Sequence, residues 1–96
     1  MAEMKEVHVY GVYELVIEAW NGIDALMRIS NMARRAKLSY QEVSASFEED
    51  RRLRVRITAT GDGFEARWLA AKLSRMPEIY RVETRLVKPL PPGGEG

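Results

Sequence analysis

Hydrophobic and polar positions alternate from Glu6 to Ala19. Val7, Val9, Gly11, Tyr13, Leu15, Ile17 and Ala19 share one parity, and His8, Tyr10, Val12, Glu14, Val16, Glu18 and Trp20 share the other. A period of two predicts a strand with a core face and a mixed outer face. The run is long for one strand, and Gly11 is placed for a bulge or break. From Ile23 to Lys37 the period becomes helical. Ile23, Leu26, Ile29 or Ser30, Ala33 and Ala36 form one stripe, with Met27 and Met32 beside it. Asn21 is expected as the N-cap, Asp24 suits the first turn, and Arg34, Arg35 and Lys37 suit the last.

Alternation returns at Val43, Ala45 and Phe47, and again at Leu53, Val55, Ile57 and Ala59. Arg52, Arg54, Arg56 and Thr58 occupy the opposite parity of the second run, and Glu48–Arg51 reads as a charged turn. Together they predict a hairpin. "TGDG" at 60–63 breaks the pattern, and Asp62 is placed to cap a second helix. Its stripe is Ala66, Leu69, Ala70, Leu73 and Met76, with Phe64 and Trp68 on the flank. Pro77 ends it. Tyr80, Val82, Thr84 and Leu86 make a last strand. The order is βαββαβ. Two right-handed crossovers around a central hairpin predict an α+β, ferredoxin-like sandwich, with an antiparallel four-stranded sheet in the order 4-1-3-2 and both helices on one face.

Ninety-six residues suffice for one domain. At 46% hydrophobic and 30% charged the chain reads as globular rather than disordered. The absence of cysteine excludes disulfides, thiolate metal sites and a cysteine nucleophile. No apolar run approaches the ~18 residues of a membrane span, and Met1–Lys5 does not read as a signal peptide. The expectation is a soluble cytoplasmic protein without membrane partners. A net charge of +1 gives no global pull toward nucleic acid. Few side-chain amides, no cysteine and many arginines hint at a thermophilic source.

Within this order, "DALMRISNMARRAKLSYQEVSAS" followed by "LRVRITATGDGFEARWLAAKLSRMPEIYRVET" resembles the ACT domain family, and in particular the small regulatory subunits of acetohydroxyacid synthase. Leu26, Arg28, Ile29, Arg34 and Arg35 stand where the family's first helix has them. Val55 and Ile57 fit the third strand, and Lys72 to Val82 fits the final helix–strand junction. The resemblance covers roughly residues 12–87, within an expected domain at 6–88, followed by a Pro/Gly tail at 89–96 expected to be disordered. It implies a non-catalytic module needing no cofactor. Such domains pair side by side into an extended sheet. Many bind an amino acid at the domain interface near the loop after the first strand, and regulate a partner enzyme. For acetohydroxyacid synthase the ligand is a branched-chain amino acid.

The implied ligand-binding residues are Asn21, Gly22, Ile23 and Asp24. Asn21 matches the family's asparagine. Asp24 replaces a glycine that lets the backbone approach the ligand, and Ile23 replaces a proline. A carboxylate there can select an ammonium group, and it repels a carboxylate from the helix N-terminus. The same residues read equally as a cap, a turn and a dipole-satisfying acid.

The expected state is a homodimer or homotetramer that regulates a catalytic subunit of a biosynthetic enzyme. One alternative is an oligomerisation scaffold without a ligand. Another is nucleic-acid binding through Arg52, Arg54 and Arg56. Opposite charges on neighbouring strands favour a self-neutralised face instead, and only Tyr10 and Tyr40 offer rings there for base stacking. His8 is the sole histidine and makes no metal site by itself. Trp20 and Trp68 suit a partner surface or core packing. Acylphosphatases share the chain order, but the loop carries no basic residue and Leu53–Thr60 no asparagine. No catalytic residues are assigned.

Overall fold

The computed structural model describes residues 8–91. Along the chain run β1 (Tyr10–Ala19), α1 (Gly22–Ala33), β2 (Ser39–Phe47), a short 3₁₀ turn (Glu49–Arg51), β3 (Leu53–Asp62), α2 (Gly63–Ser74) and β4 (Ile79–Pro89). The sheet order is β2-β3-β1-β4 with every neighbour antiparallel, which is the expected 4-1-3-2 order counted from the other edge. Glu6 and Val7, expected to begin β1, and Met1–Lys5 lie outside the described residues. So do residues 92–96 of the expected tail. Pro89 closes β4, and the Leu90 N–H donates to the Tyr10 carbonyl at 2.8 Å.

The core follows from parity. In β1, Gly11, Tyr13, Leu15, Ile17 and Ala19 are buried, and the intervening residues are half-buried. β3 repeats the pattern with Leu53, Val55, Ile57 and Ala59. Against this face sit Ala25 and Ile29 of α1 and Ala66, Leu69 and Leu73 of α2. Fully burying such an aliphatic side chain stabilises the fold by about 1.5–3 kcal/mol. Helix α2 begins as its sequence predicts. The Asp62 side chain accepts from the Phe64 N–H at 2.9 Å, satisfying one orphan donor of the first turn.

Helix α1 departs from expectation at both ends. Asn21 holds the N-cap position, but its backbone is left-handed (φ 71°, ψ 20°) and its side chain makes no cap bond. Its carbonyl instead accepts from Asp24 and Ala25. The helix stops at Ala33, so Arg34, Arg35 and Lys37 fall in the following turn. That end is held from outside: the Tyr40 hydroxyl donates to the Ala33 carbonyl, and the Glu65 carboxylate accepts from the Lys37 N–H at 3.0 Å. The buried stripe also shifts, to Ala25 and Ile29, leaving Ile23 and Met27 exposed.

Strand β4 changes parity twice. Its register with β1 shifts between Glu18 and Ala19 and again between Val12 and Tyr13. The first bulge turns Ile79 into the core and leaves Tyr80 exposed, although alternation placed Tyr80 on the face of Val82. The second explains Gly11, which pairs with Pro89: a Cβ there would meet the Lys88 carbonyl oxygen at 2.5 Å. On the open face, Glu14 pairs with Arg85 (2.8 Å) and Arg56 (3.3 Å), and Glu18 with Arg54 (3.9 Å). The opposite charges interleave as expected, with acids from β1 and, in the Arg81–Glu83 pair, from β4, while Glu42 of β2 sits opposite Thr58.

Strand β2 forms one edge and has almost no cover. Ala45 is exposed, and so are Val43 and Phe47, although all three share the core-facing parity of Ile57, Val55 and Leu53 opposite them. Leu26, Ile29 and Ala33 of α1 border it, in a groove they share with Tyr40, Val43, Val55 and Ile57.

Candidate functional site

The β1–α1 connection is built by two residues with positive φ. Asn21 (φ 71°) and Gly22 (φ 43°) reverse the chain within one turn, a conformation that asparagine tolerates better than most residues and glycine best. Just before them the Trp20 N–H donates to the Glu78 carbonyl at 2.8 Å, tying the loop to the α2–β4 connection. Asp24 follows in the first turn of α1. Arg28 stands four residues later, on the same helix face.

These elements border an open, shallow hollow of about 420 Å³ lined by Trp20, Asn21, Asp24, Arg28, Pro77 and Glu78. Two of the lining residues form an ion pair, Arg28 Nη1 to Glu78 Oε2 at 3.2 Å. The Glu78 side chain is only 6% exposed and that of Arg28 56%. A carboxylate this deeply placed requires a partner, and Arg28 supplies it. Among the described residues the Asp24 carboxylate has none. Trp20 is among the lining residues, and its ring lies against Tyr80 with centroids 5.1 Å apart; both residues are 46% exposed. The lining therefore offers an exposed carboxylate without a partner among the described residues and an engaged guanidinium. That is chemistry for holding a small polar molecule rather than for bond making.

Of the four residues expected to bind a ligand, Asn21 and Asp24 lie in this wall. Gly22 turns toward Phe47, whose ring carbons lie 3.8 Å from where its Cβ would stand, and Ile23 is exposed. Trp20, Arg28, Pro77 and Glu78 join the wall without having been assigned to a site. Arg28 carried a signal, four residues after Asp24. Glu78 comes from a connection 50 residues away in sequence from Arg28, and only the folded chain brings it there.

Other places expected to carry chemistry are otherwise occupied. The arginines of β3 face Glu14 and Glu18. The Tyr40 ring does not join that face: its hydroxyl donates to Ala33 on the helix side. His8 Nδ1 lies 3.5 Å from Asp62, and its ring stacks on Phe64. Trp68 is half-buried against the core with the Lys72 ammonium 5.7 Å from its ring centre. Among the described residues no group of three or more acidic or histidine side chains is placed to hold a metal ion. Among them, too, no helix is long and apolar enough to cross a membrane.

No protein-family model matches the chain, and no curated protein matches it. Solved structures do. The ACT domain of GTP pyrophosphokinase from Chlorobium tepidum superposes with a TM-score of 0.71 at 10% identity, over 79% of this chain and 99% of that one. The C-terminal domain of the MgtC protein from Mycobacterium tuberculosis gives 0.67 at 13% identity, over 82% and 88%. A homoserine dehydrogenase from Thiobacillus denitrificans gives 0.68 at 11% identity. That match covers 86% of this chain but only 18% of the dehydrogenase. At such identities the likeness speaks for the fold alone: this chain has the ferredoxin-like βαββαβ fold of ACT domains.

Proposed function

We propose that this chain is a non-catalytic regulatory module that pairs with a second copy of itself, binds a small amino-bearing ligand beside the β1–α1 loop, and regulates a partner enzyme in the cytoplasm. The observation that carries the reading is the hollow at the start of α1, where Asp24, Arg28 and Glu78 converge. A carboxylate without a partner among the described residues, four positions before an arginine on the same helix face, suits a molecule bearing an amino group. The uncovered β2 edge supports the pairing. An edge strand with exposed Val43 and Phe47 is a template for another strand, and joining two copies removes that edge from both.

Regulation follows from differential affinity. A ligand held more tightly in one arrangement of the pair shifts the population toward it, and the partner enzyme reads the arrangement. The Arg28–Glu78 pair and the Trp20–Glu78 hydrogen bond join α1, the end of β1 and the α2–β4 connection at this point. A ligand there touches several elements at once. The sequence motifs of α1 and of Lys72 to Val82 favour acetohydroxyacid synthase as the partner and a branched-chain amino acid as the ligand.

Calorimetric titration of the full chain with each proteinogenic amino acid tests the sensing claim. The expected result is saturable binding of one or a few. No response to any of them, and no change in thermal stability, removes it. A second reading, an assembly scaffold without a ligand, draws on Asp24 occupying the helix start where the family's glycine admits a ligand. It predicts a stable dimer or tetramer that ignores amino acids, and specific binding rules it out.

A further inference from the structure

Strand β2 is flanked by charges of opposite sign. Arg34, Arg35 and Lys37 fill the turn before Ser39, and Glu48, Glu49 and Asp50 follow Phe47, all of them exposed. Asp50 is answered within its own turn by Arg52 at 3.8 Å, and Arg51 stands beside it. Arg34, Arg35, Glu48 and Glu49 have no ion-pair partner among the described residues. The open-face arginines Arg54, Arg56, Arg81 and Arg85 each have one. Arg34 also lines the apolar groove beside the edge, with Tyr40 and Val43. A strand of 9 residues holds the two charged ends about 27 Å apart. That exceeds the screening length of ~10 Å at 0.1 M salt, so each end acts on its own.

A copy related by two-fold symmetry meets this edge in one of two directions. Parallel pairing puts the helix layers on opposite sides of the sheet. It also sets like ends together, arginines by arginines and glutamates by glutamates. Antiparallel pairing keeps both helix layers on one side, so that Val43, Ala45 and Phe47 of the two copies form one apolar row. It sets unlike ends together. With the whole strand paired, Val43, its middle residue, lies opposite the partner's Val43, and Ser39 opposite the partner's Phe47. Glu42 then meets the partner's Ser44, and no like charges oppose each other along the strand. Resting on the reading that β2 pairs with a second copy, we infer that Arg34, Arg35 and Lys37 of each copy engage Glu48 and Glu49 of the other, and that these charges fix the direction and register of the seam and select a copy of the same chain. Backbone bonds and the apolar row supply affinity, and the charged ends supply choice.

Sedimentation of the full chain tests this with two charge-reversed variants, Glu48→Lys/Glu49→Lys and Arg34→Glu/Arg35→Glu. Each alone places like charges at both ends of the seam and is expected to dimerise about tenfold more weakly or worse, with its circular dichroism spectrum preserved. An equimolar mixture opposes unlike charges at both ends again and is expected to restore the dimer. The chain has no cysteine, so direction is read separately. Ser39→Cys mixed with Phe47→Cys is expected to form a disulfide between copies, and Phe47→Cys alone to form none. A wild-type monomer at high concentration removes the pairing itself. A wild-type dimer that both variants keep at full strength overturns the charged seam and leaves pairing standing. Weakened variants that mixing does not rescue overturn it too, as does a disulfide from Phe47→Cys alone.

Discussion

Arg28 and Glu78 hold unequal positions in the pair they form. The glutamate is enclosed and the arginine more than half exposed. Removing the arginine leaves a buried carboxylate uncompensated, whereas removing the glutamate's charge leaves a guanidinium that water can reach. Arg28→Met is therefore expected to destabilise the fold by about 1–3 kcal/mol, and Glu78→Gln by less than about 1 kcal/mol. The first figure sits below that for a fully enclosed pair because solvent already screens the arginine. Urea denaturation of the two variants measures the difference; equal losses would mean that burial is not what makes the pair matter. At this scale some of the site was legible. Asp24 and Arg28 sit four apart in a helical pattern, which puts them on one face. Glu78 was not, because a charged residue between a proline and a strand reads as ordinary surface until the fold encloses it. The left-handed backbone of Asn21 was equally hidden, since an asparagine before a helix is more often a side-chain cap.

Helices α1 and α2 show how an element takes its limits. Asp62 caps α2 through a local bond that needs only neighbouring residues, so its start was readable. Asp62→Ala is expected to destabilise the protein by about 1 kcal/mol, read as a shift in the denaturation midpoint, and Asp62→Asn to restore most of it. No loss on Asp62→Ala would mean that water or the helix's own packing satisfies the Phe64 N–H. The C-terminus of α1 is set differently. Its last carbonyl is taken by Tyr40 and the next turn by Glu65, residues from β2 and α2. The helical pattern continues to Lys37, but these distant partners stop the helix at Ala33. The two bulges of β4 belong to the same class. Alternation within β4 predicts one face for Tyr80 and Val82, and the pairing with β1 separates them.

The whole molecule has two edges, and they are unlike. β4 carries two bulges, Arg81, Glu83, Arg85 and Lys88, and ends on Pro89, all of which blunt an edge. β2 offers serines outward and exposed Val43, Ala45 and Phe47 toward the helix side. Pairing is accordingly expected at β2. Val43→Lys should give a folded monomer by sedimentation, while Leu86→Lys on β4 should leave the dimer intact. A wild-type monomer at high concentration, or a dimer that tolerates lysine at 43, argues against that edge. The open face sets the response to acid. The Arg85 guanidinium bonded to Glu14 holds that carboxyl below its ordinary range, with Arg56 adding to the effect. Its folded value is depressed, so its contribution is complete above about pH 4.3, the unfolded value. It is lost as the pH falls through the lower folded value. Stability is expected to decline in that acid window, and Glu14→Gln to flatten the decline, in denaturation curves at neutral pH and about pH 3.

The strand and helix order, the core parity of β1 and β3 and the cap of α2 were determined by the sequence alone. Each depends on a period or a contact spanning a few residues, and hydrophobic burial enforces such periods wherever the chain folds. The sequence also placed Asn21 and Asp24 beside the turn that leads into α1. Tertiary structure alone decided that Trp20, Arg28 and Glu78 share a wall with them, that Asp24 has no partner among the described residues, and that β2 is the bare edge. Those facts depend on which surfaces remain after distant elements have met, and no local pattern records what is left uncovered.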